Sequence, residues 1–75
     1  MTVGNPPPYQ VRVHVEKEEL DDKIHNLRTA INGHSVFFAS LPQIDQALMI
    51  ERLGAMVHYS KILEKRIARF NGELI

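Results

Sequence analysis

SLPQIDQALMIERLGAMVHYSKILEKRIARF, residues 40–70, reads as one long amphipathic helix. Met49, Leu53, Met56, Leu63, Ile67 and Phe70 follow a 4-3 spacing interrupted only by Ser60, the row that a helix turns toward a partner helix. Leu41, Ile44, Leu48, Ala55, Tyr59 and Ile62 form a second apolar row on the neighbouring face. Together the two rows cover more of the cylinder than one partner helix can bury. A chain of 75 residues without cysteine buries only about 60 % of its unfolded surface on its own. The spare face therefore predicts association with other copies, and places binding sites at the contacts between them.

Working outward, Ser40-Leu41-Pro42-Gln43 offers a capping box, with Ser40 as the cap and Gln43 as its return partner. Asn71-Gly72 is the expected stop after Phe70. Upstream, Tyr9, Val13, Leu20, Ile24, Leu27 and Ile31 share one helical face, and Asn32-Gly33 ends it. Val11, Val13 and Val15 also alternate as a strand would, but an isolated strand has no partner in so short a chain, so a helix is expected. Val36–Ala39 is a short apolar connecting piece. Three consecutive prolines, Pro6 to Pro8, predict an extended, non-helical arm over residues 1–8. The resulting expectation is an all-α fold: an antiparallel helical hairpin with a short connecting helix, assembling into a homo-oligomeric helical bundle. Residues 9–72 form its single domain and 73–75 a tail.

Nine basic and nine acidic residues balance to zero, which argues against duplex DNA as a partner. Lys61, Lys65, Arg66 and Arg69 cluster late in one helix, and the acids between Glu16 and Asp22 cluster in another. Complementing the helix dipole explains much of that asymmetry. Neither a leader-like apolar segment nor a run long enough to cross a bilayer is visible, so the expectation is a soluble, cytoplasmic protein without a membrane partner.

Catalytic constellations are weak. His14, His25, His34 and His58 lack the paired spacing of a metal site, and Glu51 and His58 stand seven residues apart without a third ligand. Glu16, Glu18, Glu19, Asp21 and Asp22 read as a solvated helical face rather than an acid/base pair. Ser35 beside His34 lacks the geometry of a nucleophile and its base, since adjacency in sequence does not create it. No reaction, metal or cofactor is expected. Pro6-Pro7-Pro8-Tyr9 matches a minimal proline-tyrosine ligand pattern, but four-residue matches carry little information and the segment is read as an arm.

Polar residues that interrupt the apolar faces are more informative. Arg66 falls in the row of Leu48, Ala55 and Ile62, where it is either buried at a subunit contact or holds a ligand. Arg52 is similarly placed, and for it an ion pair to Asp45 is the favoured reading over a buried contact or a ligand. Lys23 flanks the apolar row at Leu27. Tyr9 sits where the proline arm meets the first helix and has two readings: it covers its own core, or it is a platform for a nucleobase with a nearby cation on phosphate.

Four segments carry a family resemblance: VEKEELDDKI at 15–24, FASLP at 38–42, AMVHYSKIL at 55–63 and RIARF at 66–70. In this order and at these short spacings they resemble the small phage anti-CBASS proteins called cyclic-nucleotide sponges, over about Tyr9 to Phe70. The resemblance implies a compact all-helical homohexamer in the cytoplasm of an infected bacterial host. Such a protein sequesters cyclic dinucleotides and cyclic trinucleotides, the messengers of CBASS immunity, without cleaving them. It further implies that Tyr9 stacks on a base and Lys23 meets phosphate in a dinucleotide site between protomers. A separate trinucleotide site would use Arg66, or failing that Arg69, and a polar residue after the lysine would be His25 or Thr29. The alternative is a structural or adaptor helical oligomer that binds another protein through its arm or its spare apolar row.

Overall fold

The structure, a computed structural model, describes residues 7–33 and 35–70. Three helices follow one another: α1, Pro8–Asn32; α2, Val36–Ser40; and α3, Gln43–Phe70. There is no strand among the described residues. α1 and α3 lie side by side as the arms of a hairpin, with α2 in the bend. The chain is thus all-α, as expected. The remainder of the proline arm, the Asn71-Gly72 stop and the tail at 73–75 lie outside the described residues.

α1 starts one residue earlier than the triple proline suggests. Pro7 is extended, with φ −55° and ψ 148°, and its carbonyl accepts from the Gln10 and Val11 amides at 2.9 and 3.2 Å. Pro8 follows inside the helix. Proline is tolerated in the first turn because that turn's amides have no helical partner to lose, so the arm stops short of Pro8. The Val11-Val13-Val15 alternation resolves as helix: Val13 is buried, while Val11 and Val15 are exposed. At the other end the Gly33 amide donates to the Thr29 carbonyl at 2.8 Å. Gly33 has φ −87°, so the stop is not left-handed. Glycine is favoured by space, since a Cβ there would lie 2.5 Å from the Thr29 oxygen.

The expected capping box does not form. Ser40 is the last residue of α2, and its Oγ donates back to the Phe37 carbonyl at 2.7 Å. Gln46 ties the bend instead, its Nε2 donating to the carbonyls of Phe38 and Leu41 at 3.1 and 3.0 Å. The Asp45 and Gln46 amides close on the Pro42 carbonyl, each at 3.0 Å. α3 therefore begins at Gln43, three residues later than Ser40.

The first apolar row faces α1. Leu63 is fully buried, and Met49, Leu53, Met56, Ile67 and Phe70 are half-buried. Val13 and Ile24 are the buried apolar residues of α1. Ser60, which breaks the row, is buried as well, and donates to Asp21 Oδ1 at 2.6 Å while accepting from Lys17 Nζ at 3.2 Å. The second row is uncovered: Ile44 and Leu48 are 66 % and 53 % exposed, and Ala55, Tyr59 and Ile62 also face outward. Among the described residues Asp45 and Arg52 form no ion pair; the salt bridge observed is Lys17–Asp21 at 2.7 Å. Seven residues of helix separate Asp45 from Arg52 by about 10 Å along the axis, too far for direct contact.

Candidate functional site

An unbroken helix carries side chains at three- and four-residue intervals along one face. On α1 that face presents Tyr9, Arg12, Glu16, Glu19 and Lys23, with Val13 and Leu20 beneath them. α3 adds Tyr59 and Arg66 from across the hairpin, and together these residues line a groove of about 800 Å³. Three cations stand there against two carboxylates, leaving one positive charge in excess. Tyr9 is held edge-on to Phe70, with ring centroids 5.7 Å apart at 85°, a favoured aromatic geometry. Tyr9, Gln10, Arg66, Arg69 and Phe70 also line an adjoining hollow of about 320 Å³. Tyr9 and Arg66 thus belong to both spaces.

Tyr59 donates its hydroxyl to Glu16 Oε2 at 2.5 Å, the hydrogen bond that joins the two walls of the groove. Accepting that bond, the carboxylate raises the Tyr59 hydroxyl pKa above its ordinary value; desolvation and Glu16's charge add to this, and Arg66 opposes it. Below them, Asp21 is held under the usual carboxylate range by its bonds from Lys17 and Ser60. The acidic stretch of α1 is therefore not a uniformly solvated face: Glu16 and Asp21 each bridge to α3.

Of the residues singled out in the sequence, Tyr9, Lys23 and Arg66 line the groove, and Arg69 joins Tyr9 and Arg66 in the hollow. Arg66 is exposed, so burial within its own chain does not account for its position. His25 and Thr29 are exposed on α1 beyond Lys23 and line neither space. Arg12, Glu16 and Tyr59 were not among the expected site residues. The signal for Arg12 was its place three residues after Tyr9, which puts both on one helical face. The groove and hollow contain no cluster of metal ligands, and none is found among the described residues.

A family model described as Sequestin matches residues 7–69, which span both arms of the hairpin and the whole groove. The chain belongs to the Sequestin family. The family's name describes sequestration, a binding role rather than a conversion, and membership agrees with the sponge resemblance carried by the four segments. No curated protein and no solved structure matches the chain. Across the Sequestin match runs the groove's order of groups: an aromatic ring with cations at one end, carboxylates in the middle, and Lys23 at the far end. No helix among the described residues is long and apolar enough to cross a membrane.

Proposed function

We propose that this protein is a phage immune-evasion sponge, which binds the cyclic di- and trinucleotide messengers of bacterial CBASS defence in the host cytoplasm and holds them intact. The observation that carries this reading is the convergence of Tyr9, Arg12 and Arg66 at one end of the groove, with Arg69 in the adjoining hollow. An aromatic face suits a nucleobase, and neighbouring guanidinium groups suit phosphodiester oxygens.

Fourteen residues of continuous helix separate Tyr9 from Lys23, about 21 Å along α1. A compact cyclic dinucleotide does not span that length, so the two residues serve one ligand only when they come from different copies. Glu16 is the midpoint between positions 9 and 23. A two-fold axis near Glu16, with α1 antiparallel to a partner's α1, brings each Tyr9 beside the other copy's Lys23 and makes two equivalent sites. The exposed apolar row of α3 supplies surface for such association, and the sponge resemblance supplies the hexamer as its full form. Arg66 and Arg69 are the cations proposed for the trinucleotide site; His25 and Thr29, away from both spaces, are the least supported of the candidate contacts.

Calorimetric titration with 3′,3′-cyclic GMP-AMP and cyclic tri-adenylate, with linear dinucleotide as control, tests the reading. Tight binding followed by recovery of intact nucleotide on heating is expected. Cleaved product recovered after prolonged incubation would mean an enzyme. The exposed Val36 and Phe37 at the bend favour an adaptor as the second reading; absence of binding by both cyclic ligands would select it.

A further inference from the structure

Glu16 and Glu19 are the two carboxylates of the groove, and Glu16 is the one that a hydrogen bond from Tyr59 across the hairpin orients. Its carboxylate is an acceptor only, it stands in the same groove as the cations Arg12 and Arg66, and one of its oxygens accepts from Tyr59. That bond fixes the direction of the group and leaves Oε1 without a described partner. On a nucleotide the donors are the base edge and the ribose hydroxyls. The order of groups on α1 separates them: Tyr9 takes the base, Arg12 one turn on takes phosphate, and Glu16 lies one further turn away, about 6 Å along the axis. The sugar is the moiety adjacent to phosphate, and a carboxylate can hold a ribose 2′-hydroxyl by accepting from it, as one does in Rossmann dinucleotide sites.

We propose that Glu16, oriented by Tyr59, accepts the 2′-hydroxyl of the bound ligand, so that the groove selects ribonucleotide rings with free 2′-hydroxyls over 2′-deoxy rings. This rests on the nucleotide-binding reading above and deepens it. Tyr59 is a positioning residue: it touches the carboxylate rather than the sugar.

The test compares 3′,3′-cyclic GMP-AMP with its bis-2′-deoxy analogue by calorimetry, on the wild-type protein, Glu16→Ala and Tyr59→Phe. Position 16 is mid-helix and exposed in the single chain, where alanine is a strong helix former; because it lies near the proposed two-fold axis, circular dichroism and sedimentation equilibrium together check that each variant is folded and assembled as wild type is. Wild type is expected to prefer the ribose ligand at least tenfold. Glu16→Ala brings the two affinities within about twofold while retaining binding of the deoxy analogue, and Tyr59→Phe lowers the preference partway. Equal wild-type affinity for the two ligands, or an undiminished preference in Glu16→Ala, overturns the assignment while leaving the sponge intact. Binding of neither ligand removes both.

Discussion

Ser60 illustrates how one polar residue in an apolar row changes the local chemistry. Its hydroxyl sits in the α1–α3 interface, donating to Asp21 and accepting from Lys17, so both its donor and an acceptor position are used. Ser60→Ala leaves the Asp21 and Lys17 contacts on α3 unmade, and is expected to cost about 1 kcal/mol, a fall in Tm of about 4–8 °C for a domain of this size. Thermal melts followed by circular dichroism measure it. Asp21 carries the pH dependence of the same cluster. Its pKa is lowered in the folded chain, first by the Lys17 hydrogen bond and then by Ser60. A carboxylate depressed by folding stabilises the fold above its unfolded pKa of about 4, and that contribution is lost as pH falls through the lower folded value. Asp21→Asn removes this component, so the drop in Tm between neutral pH and the acid range below about pH 4 should be smaller in the variant than in wild type; an equal drop would place the acid sensitivity elsewhere. The 4-3 spacing marked Ser60 as an interruption, but nothing in the spacing identified Asp21 and Lys17 as its partners, because they lie about forty residues away in sequence and meet it only across the hairpin.

At the scale of elements, helix phase was legible and helix ends were less so. Periodicity separates inward from outward positions along α3 because a regular repeat accumulates over many turns, and Met49, Leu53, Leu63 and Ile67 all turn inward as it predicts. Ends depend on a few local hydrogen bonds with close competitors. Ser40 could cap α3 or close α2, and it closes α2; Pro8 could belong to the arm or to the first turn, and it joins the turn. Gln46 decides the bend, since one side-chain amide serves carbonyls at Phe38 and Leu41 that the break between α2 and α3 would otherwise leave open. Gln46→Leu keeps size and helix propensity but removes the donor. It is expected to lower stability by about 1 kcal/mol, with amide hydrogen exchange accelerating in α2 and the first turn of α3 before the α1–α3 interface. Uniform acceleration along both long helices would mean that the bend is not an independent unit.

At the scale of the whole molecule, a hairpin of two long helices has a single internal stripe to bury. Among the described residues, the buried apolar side chains are Val13, Ile24 and Leu63, and only Leu63 is fully buried, little for a domain of this length. The uncovered row on α3 is the surface that further copies would cover in the proposed assembly. Leu48→Glu and Ile62→Glu are expected to reduce the mass seen in sedimentation equilibrium, to lower Tm and to make it depend less steeply on protein concentration. The groove was legible in part because helix phase places Tyr9, Lys23 and Arg66, and obscure in part because Tyr59 reads in sequence as one more apolar-row residue and Glu16 as one more solvated acid. The 21 Å span between Tyr9 and Lys23 leads to the most discriminating experiment. In a pair related by a two-fold axis, one site joins Tyr9 of the first copy to Lys23 of the second, and the other site joins the reverse pair. Tyr9→Ala protein and Lys23→Ala protein should each bind cyclic dinucleotide poorly alone, since both sites of either assembly lack one residue. Unfolded together and refolded as a mixture, they form some mixed pairs in which one site has lost both residues and the other retains both. Binding should therefore reappear in the mixture, approaching one intact site per mixed pair, with near wild-type affinity. A site built within one chain predicts no recovery at any mixing ratio, because every copy would carry its own defect.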